Sequence, residues 1–145
     1  LFTSECFFVV VYPFPARVDR SLFIIGGMMK YDQSPLSTKS YRFWVRVVRL
    51  CRELDQEGDS MIASQLIRSA TSIWANIREA RFASSRREFS YKLGISLQES
   101  SESEYWLQIL QEAWEVSRNY DEYLQDVHEL IKMLHSSVKT SRSES

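Results

Sequence analysis

Apolar residues recur at helical spacing along most of the chain. In the segment 62–80 they fall on one side of a helical projection. This apolar stripe contains Ile62, Leu66, Ala70, Ile73, Ile77 and Ala80, widened by Ile67 and Trp74. A second stripe, which is polar, lies roughly 120° around the same helix. It contains Gln65, Arg68, Ser72, Asn76 and Glu79. Such a polar stripe either faces water or forms a hydrogen-bonded seam against a neighbouring helix or subunit.

The same spacing predicts three further helices. They cover about 38–57, 85–118 and 121–138. Ser37 or Thr38 is placed to cap the first helix, and Gly58 is placed to end it. Four amphipathic helices joined by short polar segments predict an all-α protein with an up-down-up-down four-helix bundle.

The third predicted helix is long, and its apolar residues cover more than one face. Ser84 or Ser85 can cap it, with Glu88 placed for a capping box. A helix that is apolar on several sides contacts more than one neighbour, which favours an oligomer, although packing within one bundle is the alternative. Glu99 and Glu102 share one face of this helix among several serines, and we expect Arg68 to pair with one of them.

Arginines form two groups. Between positions 39 and 52 there are five bases and no acid, which indicates either a solvated face or a stripe that binds phosphate. The candidate nucleic-acid-binding residues are Arg42, Arg46, Arg49 and Arg52, with Arg78, Arg81, Arg86 and Arg87 as a second cluster. The fourth helix begins with an acidic face that we expect to point outward, made of Asp121, Glu122, Asp126 and Glu129. The formal net charge is −1, so any nucleic-acid site must be a local patch.

The two ends of the chain differ in composition from the predicted bundle. Residues 1–28 contain two short apolar runs, and neither approaches the roughly 20 residues that span a bilayer. We interpret them as a non-native or disordered leader, followed by a four-helix domain over 29–138 and a disordered tail over 139–145. No membrane association is expected, and the two cysteines, which form no cysteine or histidine cluster, fit a reducing cytoplasm.

No catalytic motif is recognisable. The sequence has no Gly-rich phosphate loop, no G-x-S-x-G elbow and no H-E-x-x-H. Glu99 and Glu102 have the spacing of bundle carboxylates that bind metals, but neither His128 nor His135 follows a glutamate by three positions. We therefore expect no catalytic residue, no metal and no cofactor.

The stretch from Gln65 to Leu107 carries the most specific pattern. It reads QLIRSATSIWANIREA over 65–80, SRREF over 85–89 and ESEYWL over 102–107. This pattern resembles the family of small bacterial four-helix-bundle proteins found in the intervening sequences of 23S ribosomal RNA genes. The accessory proteins of diversity-generating retroelements are similar to that family. Ala70 and Trp74 stand where many members of the family carry glycine.

The resemblance implies a homo-oligomer, most simply a homopentameric barrel, and a partner that is RNA or, in the retroelement group, a reverse transcriptase. The residues that we assign to structure and assembly are Arg68, Ser72, Asn76, Glu79, Glu99, Glu102 and Trp106. The function predicted is a non-enzymatic protein that binds RNA or DNA or acts as an adaptor. The alternative is a protein-interaction scaffold whose basic stripe contacts an acidic partner.

Overall fold

The computed structural model describes residues 34–113 and 118–143. This part of the chain contains four α-helices and no strand. They are α1 (Pro35–Gln56), α2 (Ser60–Ala80), α3 (Arg86–Ala113) and α4 (Asp121–Ser143). The all-α prediction is therefore confirmed, whereas the predicted leader over 1–28 lies outside the described residues.

The helices pack in a closed cycle. Each helix contacts the helices before and after it in the chain, and α1 also contacts α4. Contacts between α1 and α4 run in opposite directions, because Lys39 pairs with Glu129 whereas Arg46, further along α1, pairs with Glu122. Pairs between Arg68 and Glu102 and between Glu79 and Lys92 show that α2 and α3 also run in opposite directions, so the four helices pack as a bundle, in agreement with the prediction.

The core lies along the bundle axis and is built from the predicted apolar stripes. Leu66 of α2, Leu107 of α3 and Leu130 of α4 have no exposed surface. Serines replace large residues where α2 meets α3, and they are fully buried: Ser69, Ser96, Ser100 and Ser103. Small side chains let these two helices approach closely, and their hydroxyl groups bond within the interface, as between Ser69 Oγ and Ser103 Oγ at 2.7 Å.

The first helix begins earlier than predicted. Ser34 is its N-cap, and its Oγ accepts a hydrogen bond from the backbone N–H of Ser37 at 3.2 Å. Pro35 follows at the first helical position, where no intrahelical N–H bond is required. Ser37 and Thr38, the predicted caps, therefore lie inside α1.

The end of α1 is as predicted. Gly58 has a φ of 96°, the left-handed conformation that glycine adopts without a steric penalty. The N–H of Gly58 bonds to the carbonyl of Asp55 at 3.2 Å, and the N–H of Asp59 bonds to that of Leu54 at 2.9 Å. This pair of bonds is a Schellman motif, which satisfies two carbonyls at the helix end.

The third helix begins with a variant of the predicted capping box. Ser85 Oγ accepts a hydrogen bond from the N–H of Glu88 at 3.1 Å. The Glu88 carboxylate reaches back one residue further than usual, to the N–H and hydroxyl of Ser84, both at 2.8 Å. At the other end, α3 is described as helical to Ala113, and Arg118, the predicted last residue, already lies outside it.

The fourth helix is longer than predicted. It continues to Ser143, into the segment 139–145 for which we expected disorder. Val138 and Ser141 are buried, so the last turns of α4 still pack against the bundle. Contacts with neighbouring helices hold this polar sequence in a helix, which its composition does not reveal.

Candidate nucleic-acid interface

A polar seam joins α2 to α3. It consists of Gln65, Arg68, Ser72, Asn76 and Glu79 of α2 with Glu99 and Glu102 of α3. Arg68 Nη2 donates a hydrogen bond to Glu102 Oε1, and its Nη1 lies 3.7 Å from Glu99 Oε2. Trp106 Nε1 donates to the same Glu102 oxygen at 3.3 Å. The predicted pairing of Arg68 with the third helix is thus confirmed, and both glutamates take part.

The two glutamates of the seam differ in environment. Burial raises the pKa of Glu99, while Arg68 and a hydrogen bond from Ser72 act against that rise. Its Oε2 is buried and accepts no hydrogen bond. The hydrogen bond from Arg68 instead lowers the pKa of Glu102. Arg68 therefore interacts with both carboxylates, and Glu99, which is more buried, has the weaker interaction with it.

The remaining seam residues also bond within the chain. Asn76 Nδ2 donates to the backbone carbonyl of Ser72 at 2.9 Å, so its side chain bonds along its own helix. Glu79 pairs with Lys92 of α3 at 2.6 Å. Within one chain the seam is thus a contact between α2 and α3.

The basic stripe of α1 is divided between two environments. Lys39 and Arg46 face α4, where both contact Asp126. Arg46 also bonds to Glu122 at 2.9 Å, and its guanidinium lies 4.6 Å from the centre of the Tyr123 ring. Asp126 and Glu129 of the acidic face therefore pack beside α1, and Glu122, although 82% exposed, also reaches Arg46. Arg46 is held by these contacts, which changes the predicted phosphate-binding set.

The other arginines of the stripe lie on the outer side of α1. Arg42, Arg49 and Arg52 are exposed, and none forms an ion pair within 34–113 or 118–143. The basic stripe covers a wide part of the α1 surface, because successive residues of a helix are 100° apart. Only the edge of the stripe that contains Arg46 lies beside α4. A continuous outer face of three unpaired arginines remains.

The second cluster surrounds the connection between α2 and α3. We call residues 78–91 the hairpin tip. Arg78 lies in the last turn of α2, and Arg86 and Arg87 are the first two residues of α3. The guanidinium of Arg81 lies 5.9 Å from the centre of the Phe82 ring. All four arginines are exposed at this end of the bundle.

Two features of this surface were not predicted. Trp44 of α1 and Trp74 of α2 stack at 5.2 Å, with Tyr41 tilted against both. Trp74 therefore points towards α1 and leaves the close approach of α2 to α3 undisturbed. Phe82 is 80% exposed, and nothing in the hydrophobic pattern marked it because it lies in a connection between helices.

The described residues contain no group of three or more histidine, cysteine, aspartate or glutamate side chains placed to hold a metal ion. Cys51 is buried, and burial raises the pKa of its thiol to about 12, so it is not a reactive thiolate. None of the four helices combines the length and apolar character needed to cross a bilayer, as far as residues 34–113 and 118–143 show.

Comparison with known proteins identifies the family. The sequence model of the 23S rRNA-intervening sequence protein family matches residues 33–136, which is most of the chain and all of the first three helices. The chain belongs to this family. No curated protein matches it.

A solved relative of the intervening sequence protein supports the fold. It is the crystal structure of a protein of unknown function from the S23 ribosomal protein family of Bacteroides thetaiotaomicron VPI-5482. The two chains are 40% identical, and the match covers 72% of this chain and 98% of the other, with a TM-score of 0.69. The bundle described above is thus shared with a relative whose structure has been determined.

Proposed function

We propose that this intervening sequence protein is a non-enzymatic cytoplasmic protein that assembles into a homo-oligomer, most simply a pentameric barrel, and binds nucleic acid. Its partner is RNA or DNA, and as an adaptor of the retroelement type it would also contact a reverse transcriptase. The observation that carries the proposal is the outer face of α1, where Arg42, Arg49 and Arg52 are exposed and form no ion pair with any residue that the structure describes. Phosphate contacts by arginine supply affinity without reading sequence.

The selective pairing of the bases supports this proposal. In α1, the bases that face α4 pair with acids, whereas the three outer arginines form no ion pair among the described residues, although Glu53 lies one turn after Arg49. Like charges on one helix face repel each other, so they destabilise the helix slightly. A binding role accounts for their presence there, because a polyanion relieves that repulsion.

An assembly is supported by large side chains left at the surface of one chain. Tyr91 and Tyr105 of α3 are 66% and 54% exposed. Scattered exposed apolar residues are common, but here two aromatic residues lie on the outer side of the longest helix. Contacts between copies would cover them, and copies in a ring would multiply the basic face.

The experiment is the binding of a structured RNA at low and moderate salt. We expect binding that weakens steeply with salt, and we expect the variant Arg42→Ala/Arg49→Ala/Arg52→Ala to lose most of it. The salt slope should become shallower by about 0.9 for each phosphate contact removed.

A control variant removes the same charge elsewhere. Lys132→Ala/Lys139→Ala/Arg142→Ala takes three exposed bases from α4, and we expect it to retain most of the binding. If the wild-type protein does not bind RNA or DNA at low salt, the nucleic-acid proposal is wrong and an interaction scaffold becomes the better explanation. Equal losses in both triple variants would mean that total charge, and not the outer face of α1, determines binding.

A further inference from the structure

We infer that the hairpin tip is a stacking site for an unpaired base of a single-stranded nucleic acid, with Phe82 as the stacking ring and Arg78 and Arg87 as phosphate contacts. This inference rests on the proposed function and goes beyond it, because it names a second site and the kind of strand that the site takes. Its first support is the exposure of Phe82, which at 80% exceeds that of every other large hydrophobic residue within 34–113 and 118–143.

Phe82 contributes little to the fold. Its backbone N–H bonds to the carbonyl of Glu79 at 2.9 Å, a contact that any residue except proline would make. A buried phenylalanine stabilises a fold by about 1.5–3 kcal/mol, and this one forgoes most of that contribution. A single exposed apolar residue is ordinary, so the surroundings of the ring must decide whether it marks a site.

Those surroundings are basic. Four arginines occur within 78–87, and the single acid among these ten residues is Glu79. The carboxylate of Glu79 pairs with Lys92, and that of Glu88, the next acid along the chain, bonds to Ser84. Both nearby carboxylates are thus engaged by groups other than Arg78 and Arg87, so these two exposed arginines add positive charge to the tip.

Arg78 and Arg87 lie on the two helices that the connection through Phe82 joins. Arg78 lies one turn before Phe82 at the end of α2, with its guanidinium 5.4 Å from the centre of the Trp74 ring. Arg87 is the second residue of α3. Neither arginine forms an ion pair among the described residues. An exposed aromatic ring between arginines on two rigid helices suits a flexible strand, because bases stack while phosphates bind the cations.

A strand fits the tip better than the other partners that an exposed ring can have. Docking of a protein would use a contiguous apolar patch, whereas the residues next to Phe82 in the chain are Arg81 and the small Ala83. Insertion into an anionic membrane would use several apolar side chains on one face of a helix. A stacked base needs only one ring and nearby cations.

The test measures binding of a fluorescently labelled oligouridine RNA to the full chain. The same RNA annealed to oligoadenosine, and a single-stranded oligothymidine DNA, are measured alongside. We expect Phe82→Ala to weaken binding of the single strand about 5- to 150-fold, the range that corresponds to about 1–3 kcal/mol for one stacked base. The salt slope should stay unchanged, since no charge is removed. The single-stranded DNA should bind with comparable affinity, because stacking and phosphate contacts do not read the 2′-hydroxyl.

Further variants separate stacking from other contacts. Phe82→Tyr should retain binding and Phe82→Leu should lose it, because leucine is apolar but cannot stack. Arg78→Ala/Arg87→Ala should make the salt slope shallower by about 1.4, the value for two contacts to a single strand. Met61→Ala is the matched control, since it removes another exposed apolar side chain, at the opposite end of α2, and should bind as the wild type does.

Specific outcomes would overturn the inference. If Phe82→Ala binds as tightly as the wild type while the α1 triple variant loses binding, the stacking site is wrong and the proposed function stands. The inference is also refuted if Phe82→Leu binds as tightly as the wild type, or if duplex and single strand bind equally. Binding to phosphatidylserine vesicles without binding to oligonucleotides would refute it as well. If the wild type binds no nucleic acid at low salt, the proposed function fails first.

Discussion

Replacing Arg68 by alanine tests whether the polar seam stabilises the bundle. The Arg68 side chain is 53% exposed, whereas those of Glu99 and Glu102 are 19% and 33% exposed. The change removes the hydrogen bond to Glu102 and leaves two carboxylates on one face of α3 without a positive neighbour. We therefore expect the loss to exceed that of an isolated surface ion pair.

The magnitude follows from the contacts that are lost. Exposed ion pairs contribute about 0.2–1 kcal/mol. Hydrogen bonds to charged groups contribute about 1.5–3 kcal/mol, but water replaces part of this where the donor is half exposed. An intermediate value of about 1–2 kcal/mol is expected for Arg68→Ala at neutral pH, which lowers the melting temperature by roughly 4–10 °C for a domain of this size.

The effect should depend on pH with a definite sign. The pKa of Glu102 is lowered in the folded protein, so its interaction with Arg68 contributes stability above the ordinary glutamate pKa of about 4.3 and loses it as the pH falls through the lowered value. The pKa of Glu99 is raised, so protonation of Glu99 begins above 4.3 and relieves the cost of its burial. Both trends reduce the difference between wild type and Arg68→Ala on acidification, and the difference should be smallest once the pH has fallen below the lowered pKa of Glu102.

The assay is chemical or thermal unfolding of both proteins at one protein concentration, because the proposed assembly would make the melting temperature depend on concentration. Arg49→Ala is the control, since it removes an exposed arginine that forms no ion pair within 34–113 or 118–143 and should change stability by less than about 0.5 kcal/mol. If Arg68→Ala and Arg49→Ala unfold alike at neutral pH, or if the difference from wild type grows on acidification, the reasoning about the seam is wrong.

Two further predictions concern the core. Leu107 is fully buried, so Leu107→Ala should destabilise the protein by about 2–5 kcal/mol in urea unfolding. Leu107→Met should destabilise it by less than about 1.5 kcal/mol, because methionine has a similar volume. Equal effects of the two variants would contradict close packing around Leu107. Ser103 is fully buried where α2 approaches α3, so Ser103→Leu should destabilise by about 1–3 kcal/mol or more. Ser103→Ala should cost less than about 1 kcal/mol, because the hydroxyl of Ser69 keeps its bond to the carbonyl of Leu66. A leucine as well tolerated as alanine in melting experiments would show that the two helices have room to separate.

The helices and their buried faces could be predicted from the sequence because a helix imposes a fixed angle per residue. Once the apolar stripe of α2 is placed in the core, the positions of its other residues follow, and Arg68 must lie towards one side. Glu99 and Glu102 share one face of α3 for the same reason. Two consecutive helices joined by a short connection can pack against each other in few ways. The pairing of Arg68 with Glu99 or Glu102 could therefore be predicted from the sequence.

The division of the α1 stripe could not be predicted in the same way. Periodicity shows that Arg42 and Arg46 lie on the same polar half of the helix, but not which of them a third helix approaches. That depends on how α4 closes the cycle, which is a property of the whole bundle. The acidic start of α4 was the available signal, and reading it as complementary to α1 would have identified the pairing of Arg46 with Asp126.

Helix ends were predicted less well because they depend on single bonds and on distant packing. Ser34, Ser37 and Thr38 are all chemically suitable caps, and the choice of Ser34 places Pro35 at the first helical position, where proline is preferred. At the other end of the chain, burial of Ser141 supports helical turns that its polar sequence does not favour by itself. Local rules thus offer candidates, and tertiary contacts choose among them.

The distribution of charge links the two proposed sites to assembly. With a net charge of −1, one chain has no general attraction for a polyanion, and α1 offers only three unpaired arginines on its outer face. So few phosphate contacts bind weakly at physiological salt, because each contributes only about one unit of salt slope. Copies in one assembly would place several such faces and several hairpin tips within reach of the same strand, so that later contacts form at high effective concentration. If the proposed function is right, nucleic-acid binding would therefore be a property of the assembled copies, in which the outer arginines would supply affinity and Phe82 would select an unpaired strand.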